Sequence, residues 1–264
     1  MKTIVIGDIH GCYEEFQAIL EAAELQEDDR LVLLGDLIDR GPDPAAVVAF
    51  ARDVHAECVM GNHEEKALRW RRHEKRRKDD PTHYKNPMRS IDEKRLAQWA
   101  KISDELWDWV ATWPPWKLLD GNILAVHAGC MPHVEIEKQM PNELMRLRYV
   151  KSIGQPSGYL KYKMASLNEA GEVEAANEFK GEAINHWTEL WAGPEHVVYG
   201  HYVWDEIHET TTENGVKTWG IDTGCVHGGK LTALIIEETG ETRIVQVPAL
   251  QTYVERRPWT DSME

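Results

Sequence analysis

Three short β-branched runs, separated from one another by helical patterns, constrain the fold of this chain more than any other feature. The runs KTIVIGD (2–8), RLVLLGD (30–36) and AECVMGN (56–62) have the composition of buried strands. Between them, YEEFQAILEAAEL and PDPAAVVAFARDV place apolar residues at helical spacing, and the second has a proline near its start. This β-α-β-α-β order predicts an α/β fold with the strands side by side in a sheet.

Each of these three strands ends in a glycine followed by a polar residue, which is Asp8, Asp36 or Asn62. In open α/β sheets, ligands bind outside the carboxyl ends of the strands. The three polar side chains are therefore expected along one edge of the sheet, and this edge is the first indication of a functional site.

The rest of the chain divides into a helical part and a strand-rich part. Residues 64–120 have a helical pattern, with Glu64 and Glu65 in the first turn, while residues 130–194 have weak periodicity. Further strands are predicted at NILAVHAG (122–129), HVVYGH (196–201), VKTWGIDTG (216–224), KLTALIIEE (230–238) and, as a further candidate, GETRIVQV (240–247). The late strands could form a second sheet.

The chain has no internal repeat and no low-complexity linker. We therefore predict one domain over residues 1–250, with a helical insertion at about 64–115 and a variable segment at about 130–194 that forms walls around a substrate. Residues 251–264 are predicted to be a C-terminal tail.

The formal net charge of −15 makes non-specific binding to nucleic acid or to an anionic membrane unexpected. An anionic substrate would need local positive charge, which bound cations can supply. No run approaches the roughly 20 apolar residues of a membrane span, and the opening MKTIVIGDIHG is too short and too soon charged for a signal peptide. We expect no membrane association.

Four cysteines are scattered along the chain without a C-x-x-C pair: Cys12, Cys58, Cys130 and Cys225. This spacing favours reduced thiols over a disulfide framework, and it predicts a cytoplasmic protein.

Seven polar side chains lie at or next to the predicted strand ends: Asp8, His10, Asp36, Asn62, His63, His127 and His201. Carboxylates, imidazoles and an amide on converging loops suit divalent metals of the Mn, Fe or Zn kind. One carboxylate can bridge two ions, and such a pair clamps phosphorus for in-line attack. The residue types therefore indicate a metal site for phosphoryl chemistry.

The blocks GDIHG, GDLIDRG, GNHE, HAG and GH occur in this order over roughly residues 2–240. Together they resemble the phosphoprotein phosphatase branch of the calcineurin-like metallophosphoesterases. The resemblance implies a four-layer α/β/β/α sandwich of two β-sheets flanked by helices. It also implies two divalent metal ions, with Mn favoured over Fe, Zn, Co or Ni.

The resemblance assigns roles residue by residue. The implied metal ligands are Asp8 and His10 for the first ion, Asp36 for both ions, and Asn62, His127 and His201 for the second. His63 is implied to be the general acid that protonates the leaving oxygen, with Asp39 as its hydrogen-bond partner. Arg40 should bind the substrate phosphate, and a second arginine is expected from the middle region, where Arg148 is preferred over Arg146.

Two further blocks bear on the substrate. GIDTGCVHGGKLTAL (220–234) is similar to the same stretch in symmetrical diadenosine tetraphosphate hydrolases, in bacterial Ser/Thr phosphatases and in the phosphatase module of bacterial polynucleotide kinase–phosphatase, and LMRLRYV (144–150) is similar to the first of these. We expect a phosphomonoesterase of the Ser/Thr protein phosphatase type. The alternatives are a symmetrical dinucleoside tetraphosphate hydrolase and an RNA-end or cap phosphohydrolase.

A hypothesis of another class is that the chain is a scaffold that binds metal but catalyses no reaction. This hypothesis would be favoured if another residue stood in place of a metal ligand or of His63, and none does. The expected partner is a phosphorylated substrate, with no stable binding to nucleic acid. The basic segment RWRRHEKRRK (69–78) is either a rim that attracts anions or a solvated helix face. The 11 tryptophans either stack on a nucleobase or pack the insertion and the core.

Overall fold

The fold is known from a computed structural model, which describes residues 1–88, 91–154, 160–164 and 184–256. Residues 155–159 and 165–183 of the predicted wall segment, and residues 257–264 of the predicted tail, lie outside this description. None of the helices in the described part of the chain is long and apolar enough to cross a lipid bilayer.

The first sheet contains the three strands predicted at the start of the chain. They are β1 (Thr3–Ile6), β2 (Arg30–Leu33) and β3 (Glu57–Cys58), which are parallel and are connected by α1 (Tyr13–Ala22) and α2 (Pro44–Asp53). Asp43 begins α2, and its side chain accepts a hydrogen bond from the backbone N–H of Ala46. The right-handed β-α-β crossovers expected of this pattern place both helices against the sheet.

The second sheet has the strand order β10-β11-β9-β5-β4. Its strands are β4 (Trp116–Leu119), β5 (Ile123–Val126), β9 (His196–Tyr199), β10 (His208–Thr211) and β11 (Lys217–Gly220). β5, β9 and β11 are parallel, and antiparallel β4 and β10 form the edges. The sequence pattern did not predict β10, which is short, polar and at an edge.

The late strands do not all enter this second sheet, contrary to the expectation that they might form it together. β12 (Lys230–Ile236) and β13 (Thr242–Pro248) return to the first sheet, which has the order β13-β12-β1-β2-β3. β12 is apolar on both faces, since Leu231 packs towards the helices and Leu234 packs between the sheets. A strand of this kind needs cover on both sides, and the interior of the first sheet supplies it.

Alternation along the strands explains the layers. Ile4 and Ile6 of β1 pack under the helices, whereas Val5 faces Ala125 and Val198 of the second sheet. The structure thus confirms the α/β sandwich of two mixed sheets with flanking helices. Outside the second sheet, the cover consists of the one-turn helix α6 (Pro141–Leu144), of Trp187, and of a small sheet made of β6 (Tyr149–Gly154), β7 (Leu160–Met164) and β8 (Ile184–His186).

Three helices follow β3: α3 (Asn62–Asp79), α4 (Glu93–Trp99) and α5 (Asp104–Val110). Trp99 and Trp107 are buried in the core under the first sheet, which favours the packing role for these tryptophans. On the basic segment, Arg71 pairs with Asp104 at 2.6 Å. Arg77 also pairs with Glu74 one turn before it. Such pairs favour the solvated helix face over an anion-attracting rim.

The residues that begin the predicted tail are tied to the body of the protein. The backbone N–H groups of Tyr253 and Val254 both donate to the carbonyl of Val226 at 3.1 Å. The Tyr253 hydroxyl also donates to the buried carboxylate of Glu15 at 2.8 Å. We call residues 249–256 the C-terminal strap.

Candidate active site

The carboxyl ends of the parallel strands of both sheets meet at one place. β1, β2 and β3 lead to Asp8, Asp36 and Asn62, and β5 and β9 of the facing sheet lead to His127 and His201. All five side chains are buried or half-buried. The two sheets therefore bring together the polar residues that the sequence places at five separate strand ends.

Close packing explains the glycine that precedes several of these residues. A Cβ at Gly61 would collide with the side chain of Asp36, and a Cβ at Gly200 would collide with the carboxylate of Asp8. The loops are also strained, because five of the residues have positive φ: His10 (47°), Asp36 (51°), Asp39 (69°), Arg40 (65°) and His201 (64°). Such conformations cost energy outside glycine and concentrate at functional sites.

Asp36 is at the centre of the site. Its Oδ2 atom lies 3.4 Å from Nε2 of His127, 3.6 Å from Nε2 of His10 and 3.8 Å from Nε2 of His63. It belongs to two groups whose potential ligand atoms lie within 4.8 Å of one another, namely His10–Asp36–His63 and Asp36–His127–His201. Burial alone would raise the pKa of Asp36, but the imidazoles of His127, His63 and His10 hold it well below its usual range.

The histidines are oriented so that Nε2 faces this centre. Nδ1 of His10 lies 2.8 Å from the carbonyl oxygen of Ile38, and Nδ1 of His127 lies 2.7 Å from that of Leu34. A carbonyl can only accept, so each Nδ1 carries the hydrogen and the Nε2 atom is directed at the site. Burial and the nearby Arg40 lower the pKa of His10 well below its usual range, which keeps that imidazole neutral, as metal ligation requires.

His127 shows that the site attracts positive charge. Its Nε2 lies 2.9 Å from Oδ1 of Asn62 and close to Asp36, and both of these oxygens accept hydrogen bonds. Burial opposes a charge on this ring, yet Asp36 and Asp8 raise the pKa of His127 to about 9. The space between imidazole, amide and carboxylate therefore favours positive charge, and these donor types suit a divalent cation. The residues present fit a metal.

His63 differs from the other histidines in the group that holds its Nδ1. That nitrogen lies 2.6 Å from Oδ2 of Asp39, a fully buried carboxylate. Asp39 also accepts from Nε1 of Trp99 at 2.6 Å and pairs with Nε of Arg95 at 3.2 Å. His63 is thus held through Nδ1 by a buried carboxylate instead of a carbonyl, and its Nε2 faces Asp36.

Trp99 and Arg95 were not identified from the sequence as site residues. Both lie on α4, far along the chain from Asp39, and they enter only because the helical insertion folds back over the site. The amphipathic pattern of EKRLAQW indicates a helix but carries no information about what its buried face touches.

The predicted phosphate-binding arginines lie on opposite sides of the histidine cluster. The NH1 nitrogen of Arg40 lies 3.2 Å from Nε2 of His10, and Nε of Arg148 lies 3.1 Å from Nε2 of His201. Arg146, the alternative, instead pairs with Glu65 at 2.7 Å. Of Arg146 and Arg148, it is therefore Arg148 whose side chain contacts a histidine of the site.

Asp8 links the two sheets at the site. Its Oδ1 atom accepts from the backbone N–H of His201 at 3.0 Å, which ties β1 of one sheet to β9 of the other. Burial, followed by the neighbouring carboxylates of Asp222 and Asp36, raises the pKa of Asp8 well above its usual range. Carboxylates crowded in this way repel one another unless a cation lies between them.

Glu64 supports the site in a way that the sequence analysis missed. The sequence indicated only the first turn of a helix, but the carboxylate accepts from the backbone N–H groups of Asp36 at 2.9 Å, Leu37 at 2.8 Å and Ile38 at 3.2 Å. Glu64 is fully buried. It therefore fixes the loop that carries Asp36 and Asp39.

We expect Glu64→Gln to lower the free energy of unfolding by about 2 kcal/mol or more, because a carboxamide offers one acceptor oxygen to three buried donors. Urea denaturation of the metal-free protein measures the change. The control is Glu14→Gln on the exposed side of α1, which should stay within about 0.5 kcal/mol of the parent protein. Equal stability of the two variants would refute the role of Glu64.

A further group of potential ligands lies in the core under the first sheet and consists of Cys12, Glu15 and Cys225. A hydrogen bond to Cys12, together with burial, strongly raises the pKa of the Cys225 thiol. Metals bind the thiolate, so a Cys225 thiol that resists deprotonation favours a packing role for this group. The four cysteines are buried and unpaired.

Comparisons with known proteins agree with this geometry. Residues 1–217 match the family model described as calcineurin-like phosphoesterase. Relatives named "Bis(5'-nucleosyl)-tetraphosphatase, symmetrical" include one from Photorhabdus laumondii, 28% identical over 96% of this chain and all of the relative. Another, from Xanthomonas oryzae pv. oryzae, is 30% identical over 94% of this chain and 85% of the relative. A solved structure titled as a putative diadenosine tetraphosphatase superposes with a TM-score of 0.68, at 27% identity over 94% of this chain and 93% of that one.

Proposed function

Since this chain belongs to the calcineurin-like phosphoesterase family of metal-dependent hydrolases, we propose that it cuts dinucleoside tetraphosphates symmetrically, in the cytoplasm. The observation that carries this proposal is the coverage of the relatives named as symmetrical tetraphosphatases. They align with this chain over 96% and 94% of its length, so the match extends well beyond the short motif blocks. The sequence analysis had placed this activity second to a Ser/Thr protein phosphatase, and the comparisons favour the alternative.

The proposed metal ligands are the buried groups that converge on Asp36. Asp8 and His10 would hold one ion, Asn62, His127 and His201 the other, and Asp36 both. Three observations support this assignment: the Nε2 atoms directed inwards, the crowded carboxylates of Asp8 and Asp36, and the approach of Nε2 of His127 to Oδ1 of Asn62. Mn is the metal we propose to supply first, because oxygen and imidazole ligands without thiolate suit it.

When bound, two divalent ions would lower the pKa of a water molecule so that hydroxide is available near neutral pH. The chain supplies the other chemistry. Arg40 and Arg148, on opposite sides of the cluster, are placed to bind oxygens of neighbouring phosphates and to offset the negative charge that develops at phosphorus.

His63 is proposed to hold the proton that the leaving group needs. In a symmetrical cut, the oxygen of water bonds to one of the two inner phosphorus atoms, and the bond from that atom to the central bridging oxygen breaks. The leaving nucleoside diphosphate takes a proton from Nε2 of His63, while Asp39 holds Nδ1. The products are two nucleoside diphosphates.

The test is a product analysis with Mn-loaded protein on diadenosine tetraphosphate, a phosphoserine peptide and p-nitrophenyl phosphate. We expect ADP as the only nucleotide product, with a kcat/KM at least about 100-fold above that for the peptide, because the walls select the substrate. AMP and ATP in equal amounts would contradict symmetrical cleavage. A preference for the peptide would restore the protein-phosphatase hypothesis.

A further inference from the structure

The block GIDTGCVHGG begins at the end of β11 and continues into the loop that leads to β12. Within this block, only the buried carboxylate of Asp222 contributes to the site described above. The histidine of the block, His227, nevertheless lies at the site. Nε2 of His227 is 3.5 Å from NH1 of Arg40, the same guanidinium nitrogen that lies 3.2 Å from Nε2 of His10. Arg40 is thus in contact with one proposed metal ligand and one histidine of unassigned role.

The C-terminal strap determines which nitrogen of His227 carries the hydrogen. Nδ1 lies 2.8 Å from the carbonyl oxygen of Val254. Since a carbonyl only accepts, Nδ1 donates, which leaves Nε2 as the ring nitrogen that faces Arg40 and can accept from it. His227 is therefore oriented to accept a hydrogen bond from the guanidinium of Arg40, because the Val254 carbonyl of the strap accepts from its other ring nitrogen.

The strap itself is held at several points. Ala249 donates to the carbonyl of Gly229 at 2.9 Å, and Tyr253 and Val254 donate to that of Val226. The backbone of Leu250 and the hydroxyl of Tyr253 donate to Oε1 of Glu15, at 2.9 and 2.8 Å. The carbonyls of Val226 and Gly229 flank His227 in sequence, so the strap is bonded to the same loop that carries this histidine, and the Val254 carbonyl is a fixed acceptor.

Arg40 needs such support because its long side chain has many rotamers, whereas its strained backbone fixes only its starting direction. In the proposed metal-bound enzyme, His10 gives its Nε2 lone pair to an ion and can no longer accept from Arg40. His227 then remains on that face of the guanidinium, alongside the attraction of the buried Asp222 carboxylate.

We propose that His227 is a positioning residue for Arg40: the C-terminal strap holds its ring so that Nε2 orients the guanidinium towards the substrate phosphate. The inference rests on the proposed function only in that Arg40 binds phosphate. It holds for any phosphoryl substrate of this site.

Two substitutions test the contacts of the two imidazole nitrogens separately. In His227→Gln, the carboxamide reaches the position of Nε2 and can still accept from Arg40. In His227→Asn, the shorter side chain can reach only the strap. We expect His227→Asn and His227→Ala to raise the KM for p-nitrophenyl phosphate and the Kd for inorganic phosphate about tenfold, the value of one hydrogen bond to a charged group. His227→Gln should recover most of that loss, and the metal content of all three variants should stay that of the parent protein.

A double-mutant cycle tests whether His227 acts through Arg40. If it does, the KM of the Arg40→Ala/His227→Ala protein equals that of Arg40→Ala alone. Independent, multiplying effects would overturn the proposal, as would an unchanged KM in His227→Ala.

Truncation tests the strap. A chain ending at Thr252 loses the Val254 carbonyl and should reproduce the rise in KM of His227→Ala, whereas a chain ending at Arg256 keeps it and should match the full chain. If diadenosine tetraphosphate is not cut but the coupling between His227 and Arg40 is found with p-nitrophenyl phosphate, the proposed substrate fails and this inference stands. If no substrate is turned over, calorimetry of phosphate binding to the Mn-loaded variants decides it.

Discussion

His63→Ala is expected to lower kcat on diadenosine tetraphosphate by about 10²- to 10⁴-fold, the usual contribution of a general acid. The reason is geometric. His63 faces the centre of the site with Nε2, and its Nδ1 is held by the buried Asp39 carboxylate at 2.6 Å. Removal of the ring removes the proton donor but leaves the proposed ligands in place, so two metal ions should still be found by elemental analysis.

The leaving group sharpens this test. p-Nitrophenolate leaves without needing a proton, so His63→Ala should lose much less activity on p-nitrophenyl phosphate than on the dinucleotide. The matched control is His83→Ala, an exposed histidine paired with Asp80 at 3.0 Å, which should behave as the parent protein. His63 also belongs to a group with His10 and Asp36 that could hold a metal. Loss of one metal ion in His63→Ala would therefore make it a ligand and refute its role as the acid.

Asp36→Asn is expected to have the largest effect on the metal centre, because this one carboxylate is shared by both groups of potential ligands. The amide keeps the size of the side chain but removes the negative charge that three imidazoles surround. Mutation of residues that only support metal ligands already costs about 10- to 100-fold in metal affinity, so loss of a bridging ligand should exceed 100-fold. Activity should fall with it.

Titration of the metal-free variant with Mn, followed by calorimetry, measures this loss directly. Asp108→Asn on the exposed side of α5 is the matched control and should bind Mn as the parent protein does. Thermal unfolding adds a second readout, since Mn should raise the Tm of the parent and of the control but not of Asp36→Asn. Binding of two Mn ions to Asp36→Asn with unchanged affinity would contradict a bridging role.

Local patterns were sufficient for much of the fold. The alternation of β-branched runs with amphipathic helices located β1, α1, β2, α2 and β3, because such elements are determined by neighbouring residues. The pattern could not assign β12 and β13 to a sheet. Strand pairing depends on which faces need cover, and both faces of β12 find theirs only when the helices and the second sheet are in place.

The site divides in the same way. Glycine followed by a polar residue at a strand end identified Asp8, Asp36 and Asn62, because parallel strands bring their carboxyl ends to one edge. The structure brings these residues together with His127 and His201, while their roles as metal ligands stay predictions. The resemblance preferred Arg148 to Arg146 on a loose alignment, and only the fold shows that Arg148 lies beside His201 whereas Arg146 pairs with Glu65.

The sequence by itself therefore determined the α/β class, through local periodicity, and the list of groups that can carry phosphoryl chemistry, through short motifs; the sandwich followed only from the resemblance of those motifs to a known family. Only the tertiary structure decided how those groups are supported. Trp99 reaches Asp39, Glu64 holds the loop of Asp36, and Val254 sets the ring of His227, in each case from a distant part of the chain. These contacts are hydrogen bonds between residues far apart in sequence. They follow no period or spacing, and they form only when the packed sheets and helices bring the partners within reach.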